Sequence, residues 1–334
     1  FRVNGAVTVG YNSGATTETR LKLTGGGAFL IGSVGNSALI NVQLGGNSTT
    51  NVTNRAVVDM SGLGSFYAGL AGGLFRVGDA TNANGGNGGG AGSLLILAPT
   101  STIVAASFLM DSPTSDITHT VRLGTGVNTF NVNTLLVGGN RSSARFSFND
   151  PALGSFVVRN RAGTGRAAIN VGHSDTTTGA TPTVTMDLSG HSVDILASTL
   201  SIGGRIGAGG ANNTANFTMS AGTLDATSVI VGERRNTGTA SASYSLTGTT
   251  TGTLTIAGGV VNIGATGLNI AQSLSTNVSN TAAGTVAISG GTVTILGPVT
   301  LGSSTNTKGT ANASLIITGG TVDVRNSIGK GVGN

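Results

Sequence analysis

Apolar residues alternate with small polar ones along most of the chain, in short runs broken by a glycine or a glycine pair. Residues 286–295 read Val-Ala-Ile-Ser-Gly-Gly-Thr-Val-Thr-Ile, and residues 315–324 read Leu-Ile-Ile-Thr-Gly-Gly-Thr-Val-Asp-Val. Residues 254–263 and 217–226 follow the same grammar, and each run is succeeded by a further apolar pair such as Val299/Leu301 or Val229/Val231. Alternation with a period of two predicts strands with one buried face. The glycine pair predicts a tight corner, because glycine adopts backbone angles that a side chain forbids. Each unit therefore reads as three short strands and two corners.

A polar loop closes each unit. Such loops follow Gly10, Gly45, Gly78, Gly138, Gly172, Gly207, Gly232, Ala271 and Gly302, with one landmark missing near residue 108. Their spacing of roughly 32 residues matches a repeat architecture. The expected fold is all-β, a right-handed parallel β-helix (solenoid) of about ten coils. Each coil has three short strands, and the polar loops line one edge. The expected organisation is a single solenoid over residues 1–334, with irregular coils or insertions near 85–120 and 149–168. Apolar spacing of three and four, the mark of an amphipathic helix, is missing. The weakly polar stretch 93–110 contains Pro99, Thr100, Ser101 and Thr102, too interrupted for a membrane helix of about 20 apolar residues. It reads as two buried strands.

Composition narrows the function. Of 334 residues 57 are Gly, charged residues are 9%, aromatics 4%, and there is no Trp or Cys. Disulfides and thiolate chemistry are thereby excluded. The net charge of +5 comes from 14 Arg and 3 Lys against 12 acids. That is too thin for a nucleic-acid stripe, which also needs stacking aromatics. The chain starts at Phe1 rather than Met, as a processed product would.

The runs at 286–295 and 315–324 resemble the repeats of bacterial autotransporter passenger domains and related surface proteins. The resemblance implies a right-handed β-helix, secretion and an extracellular or cell-surface location. It attaches no activity and carries over no site residues.

Several residues invite a chemical reading. Glycoside cleavage needs two carboxylates at a set separation, and Asp111/Asp116 and Asp187/Asp194 lie close in sequence. His173-Ser174-Asp175 puts an imidazole beside a carboxylate; His119 and His191 stand alone. The 85–90 Gly-rich run lacks the Lys-Ser/Thr and helix of a phosphate loop. Alignment of the units places Asp194, Asp225, Asn262, Thr294 and Asp323 in one outward column, where Asp194 and Asp225 would be close neighbours; the favoured reading is that both splay into water, the alternative that a cation such as Ca²⁺ relieves their repulsion. Asn-x-Ser/Thr triplets begin at Asn47, Asn51, Asn140, Asn212, Asn216, Asn277 and Asn312. None of these amounts to an active site: no catalytic residue, metal ligand or cofactor is assigned, and the chain is not expected to be an enzyme.

The two ends fall at the same phase of the repeat, Val7-Thr8-Val9-Gly10 at the start and Ile328-Gly329 at the close. In-phase open ends favour stacking. The expected function is structural: a subunit or segment of a bacterial cell-surface or secreted filament, with copies of itself as partners, stacked head to tail. A second reading is a monomeric surface adhesin, a stalk whose loops bind glycan or protein. A third, less favoured, is a polysaccharide-degrading β-helix enzyme.

Overall fold

The computed structural model describes residues 1–10, 17–32, 41–44, 54–78, 91–112, 117–174, 181–205, 212–235, 248–274, 280–305 and 309–333. Among these the protein is all-β, and no helix is long and apolar enough to cross a membrane. Most of the predicted polar loops lie outside the described residues. The chain divides into two compact units, Phe1–Ala168 and Ile169–Asn334.

The first unit contains β1 (Arg2–Val3), β2 (Val7–Val9), β3 (Thr17–Thr24), β4 (Ala28–Gly32), β5 (Val42–Leu44), β6 (Asn54–Gly62), β7 (Ser65–Gly69), β8 (Leu74–Gly78), β9 (Ala91–Ile96), β10 (Thr100–Ser112), β11 (Thr118–Leu123), β12 (Val127–Asn140), β13 (Ser143–Phe148) and β14 (Ser155–Arg159). The second is made of β15 (Ala167–Ser174), β16 (Thr183–Arg205), β17 (Asn213–Arg234), β18 (Thr249–Ile256), β19 (Val260–Ser273), β20 (Thr281–Ile288), β21 (Thr292–Ile295), β22 (Val299–Ser304), β23 (Thr310–Ile317), β24 (Thr321–Val324) and β25 (Ile328–Lys330).

Within each unit the described pairings are parallel, and each joins a strand to one a single repeat further on. Ala28 pairs with Ser65 and Ser65 with Thr100; Thr223 pairs with Val260, Val260 with Thr292 and Thr292 with Thr321. Parallel pairing in constant register stacks like positions in columns. Ile195, Leu224, Val261, Val293 and Val322 form one such column, and the first four are at most 1% exposed. β16 and β17 run through their corners as single elements, although Gly190 and Gly222 there have φ of 79° and 84°.

The glycine pair has a specific reason. At Gly291 φ is +80°, and a Cβ there would lie 2.4 Å from the carbonyl oxygen of Gly259 in the preceding rung. At its neighbour Gly290 a Cβ would lie 2.4 Å from the oxygen of Ala257. Both positions must lack a side chain because the backbone of one corner rests on the backbone of the last.

Residues 93–110 form two buried strands, as the sequence predicts. β10 pairs with β7 and β8 on one side and β12 on the other. Its corner is made by Ala105 and Ala106 rather than by glycines, so the repeat grammar is hard to see there; 79–90 and 113–116 lie outside the described residues. In 149–168 the chain turns on either side of β14. Asp150 Oδ1 accepts the N–H groups of Ala152 and Leu153, and Asn160 closes the turn at 160–165 by accepting from Gly165 N at 3.0 Å.

The two cores differ in composition. A file of phenylalanines runs through the first unit: Phe1, Phe29, Phe66, Phe75, Phe108 and Phe130, with successive ring centroids 4.7–6.2 Å apart. Phe130 also meets Phe146 at 6.0 Å and Phe156 at 5.1 Å. The second unit's columns are chiefly aliphatic, with Phe217 its one phenylalanine. Asn128 is fully buried and clamps a corner of the first unit, accepting Gly124 N at 2.9 Å and donating to Gly124 O, Gly126 O and Ser155 O. Because Phe130 touches three other rings, Phe130→Ala should destabilise the first unit by about 3–5 kcal/mol. Val127→Ala, at a position 47% exposed, should cost under about 1 kcal/mol; denaturant unfolding checks both.

Candidate functional site

Two buried polar clusters stand out against this apolar interior, one in each unit. In the first unit the ladder places Gly78, Asp111 and Gly139 in successive rungs. A Cβ at Gly78 would fall 2.0 Å from the Asp111 carbonyl oxygen, and one at Gly139 3.0 Å from Asp111 Cβ. The two glycines therefore leave the room that Asp111 fills. Its carboxylate takes Arg76 Nε at 3.3 Å on Oδ1 and the Asn140 amide at 3.4 Å on Oδ2. The Gln43 side-chain amide donates to Gly78 O. One corner is thus tied by side chains from four rungs. Burial raises the Asp111 carboxyl above its usual range, and Arg76 and then Asn140 oppose that rise. Asn140, at φ 58°, begins the turn into β13, where the Ser142 hydroxyl donates to Gly139 O at 2.9 Å and accepts Ser112 N at 3.1 Å.

His119 lies beside this corner. Its Nδ1 accepts the N–H of Ser93 at 3.1 Å, and the Ser93 hydroxyl accepts Ala56 N at 3.2 Å. A neutral imidazole that accepts at Nδ1 carries its proton on Nε2, which faces Gly78 and is buried without a hydrogen-bond partner among the described residues. Complete burial lowers the His119 pKa to about 4.

In the second unit the polar positions also stack. Arg205, Arg234, Ser273 and Ser304 occupy one column. Arg205 is 0% and Arg234 3% exposed. Burial depresses the Arg205 guanidinium; burial and then the like charge of Arg205 bring Arg234 to about 10. Beside them Glu233, also buried, pairs with Arg235 at 2.7 Å. Asn213 donates to Gly172 O at 2.5 Å and to Gly204 O at 3.1 Å, and the Ser273 hydroxyl donates to Asn280 at 2.7 Å. The column stands at the ends of β16 and β17; residues 206–211 and 236–247 lie outside the described residues.

The residues singled out in the sequence are distributed as follows. Asp111 and His119 share the first-unit corner, while Asp116 and Asp175 lie outside the described residues, as do the 85–90 run, Asn47, Asn51 and Asn277. Asp187 is engaged locally, accepting the N–H and hydroxyl of Ser189 at 3.0 and 2.7 Å. His173 packs against Gly204, where a Cβ would meet its Nδ1 at 2.7 Å; Ser174 and His191 are buried. Asn140 is committed to Asp111, and Asn212, Asn216 and Asn312 lie in or beside strands.

The proposed Asp194/Asp225 column is corrected. Asp194 pairs with Thr223, and it is Leu196 that pairs with Asp225; the outward column reads Leu196, Asp225, Asn262, Thr294, Asp323. The register shifts between Leu188 and Ser192, so Asp194 falls two residues out of phase. The stacked carboxylate pair that would have drawn a cation is not formed. Among the described residues no group of three or more His, Asp or Glu side chains gathers as metal ligands.

Arg76, Arg205, Arg234 and Asn213 were not picked out from the sequence. Their signal was available: each sits at a strand's approach to a polar loop, or just after one. The Asp111 carboxylate links its rung to the neighbouring ones through Arg76 and Asn140, while its Oδ1 is buried without a hydrogen-bond partner among the described residues. No family model, curated protein or solved structure matches the chain.

Removing the carboxylate deletes its ion pair with Arg76 and its bond to Asn140, so Asp111→Ala should destabilise the first unit by about 3 kcal/mol in denaturant unfolding. His119 gives a pH signature. Its folded pKa lies below the unfolded value near 6.5, so the unfolded chain binds the proton first. Stability should be full above pH 6.5, fall as pH drops from about 6.5 to about 4, and lose on the order of 3 kcal/mol across that window. His119→Gln, which keeps an acceptor for Ser93, should abolish that contribution when unfolding is followed against pH.

Proposed function

We propose that each unit is a right-handed parallel β-helix and that the protein is structural, a segment or subunit of a bacterial cell-surface or secreted filament. The observation that carries this reading is the register of the ladder. From β17 to β25 like positions stack on like positions on either side of a register shift between Ala226 and Ser228, each rung offering the next the same backbone groups and apolar columns. Parallel connections within one sheet favour the right hand. A chain built this way spends its residues on lengthwise propagation, which is what a rod requires.

The last described rung keeps apolar side chains exposed. Ile317 is 51% exposed where its column neighbour Ile288 is 1%, and Ile328 is 55% exposed where Val299 is 1%. A further rung of the same grammar buries these side chains and pairs the open strand edges, and repeated contacts of that kind do not close. In this reading the added rung comes from another copy.

Negative-stain electron microscopy of the purified chain should reveal filaments that lengthen with concentration. Ile317→Asp with Ile328→Asp, at exposed positions, should leave the circular dichroism spectrum intact and abolish them. Monodisperse particles at high concentration would overturn the filament reading.

A further inference from the structure

The net charge is unevenly placed. The first unit, residues 1–168, contains eleven Arg and Lys against six acids, a net of +5; the second, residues 169–334, contains six against six, a net of zero. The whole excess of the chain therefore belongs to the first unit. Much of it collects on one sheet face. Strands β3, β6, β9, β11 and β13 pair side by side in that order. Their inward column is Leu21, Val58, Leu95, Val121 and Phe146. The two flanking columns face outward: Arg20, Val57, Leu94, Thr120, Arg145 and Lys22, Asp59, Ile96, Arg122, Ser147.

The two acids on this face are already engaged. Glu18 pairs with both Arg20 and Arg55. Asp59 accepts the N–H and hydroxyl of Ser61 at 3.0 and 2.6 Å; that hydroxyl, and to a smaller degree the Lys22 charge, hold its carboxyl below the usual range. Arg122 and Arg145 are exposed, on adjacent strands two residues apart in register, and no acid among the described residues forms an ion pair with either.

From this arrangement we infer that the first unit's outer sheet face binds an anionic polysaccharide. Charge complementarity demands an anionic partner. Arginine's planar fork suits carboxylate or sulfate groups presented at intervals. The cations lie on four of these five consecutive strands, β3, β6, β11 and β13, a geometry that fits an extended polymer better than a small ion. Between them Leu94 and Ile96, both half-buried beside the buried Val57, offer a small apolar surface suited to the C–H faces of sugar rings. Neither outward column contains an aromatic residue on which nucleic-acid bases would stack. This inference does not depend on filament formation.

The test is retention of the full chain on immobilised polygalacturonate at low salt, with dextran as the neutral control and single-stranded DNA and anionic phosphatidylglycerol vesicles as the competing polyanions. The chain should bind polygalacturonate in preference to all three and elute as salt rises. Arg122→Ser with Arg145→Ser should weaken binding about tenfold with an unchanged circular dichroism spectrum. Arg325→Ser in the second unit should leave it unchanged. No retention, equal retention of the double variant, or a preference for DNA or vesicles would each overturn the assignment.

Discussion

The fold depends on how closely one rung's backbone lies on the next. At the corners the separation leaves no room for a side chain: the Cβ that Gly290 or Gly291 lacks would fall within 2.4 Å of a carbonyl oxygen of the preceding rung. Once the corners nest, the parallel ladder between them has one register, because a slip of one residue would turn every apolar side chain outward. The columns follow from that register, and so does the alternation of buried and exposed positions.

Within this constraint the two units fill their interiors differently. The first relies on stacked phenylalanines, whose rings span several rungs and couple them. The second relies on aliphatic columns, in which each rung meets mainly its neighbours. Polar side chains enter both interiors where strands leave for loops. There the backbone departs from the ladder, and its donors and acceptors need partners. Asn128 and Asn213 satisfy them directly. At the Asp111 corner Gln43 does so by donating to Gly78 O, while the buried Asp111–Arg76 pair makes the corner sensitive to the loss of either member.

The repeat was legible in the sequence because its causes are local. Alternation marks the buried column, and a glycine pair marks a nested corner. The strands within 93–110 were legible through their apolar run, although Ala105 and Ala106 hide the corner between them. The Asp194 column was misplaced because its phase depends on the bend between Leu188 and Ser192, where the number of residues in the turn differs from later units. The Asp111 corner and the Arg205/Arg234 column were legible only as polar positions beside the loops; their stacking emerges when residues about 30 positions apart are superposed. The contrast in charge between the two units was present in the sequence but needed the boundary at 168 to give it meaning.

The central claim is the parallel register of successive rungs, and the absence of native cysteine allows a clean test by cross-linking. Cysteine pairs introduced at Val260 with Thr292 and at Asn262 with Thr294, directly opposite in the ladder, should both oxidise readily, since opposed Cα atoms lie about 4.8 Å apart, within disulfide range. A pair at Val260 with Leu296 should not. Efficient bridging of 260 with 296 alongside 262 with 294 would mean antiparallel strands, and failure of both parallel pairs would mean a different register; either contradicts the account.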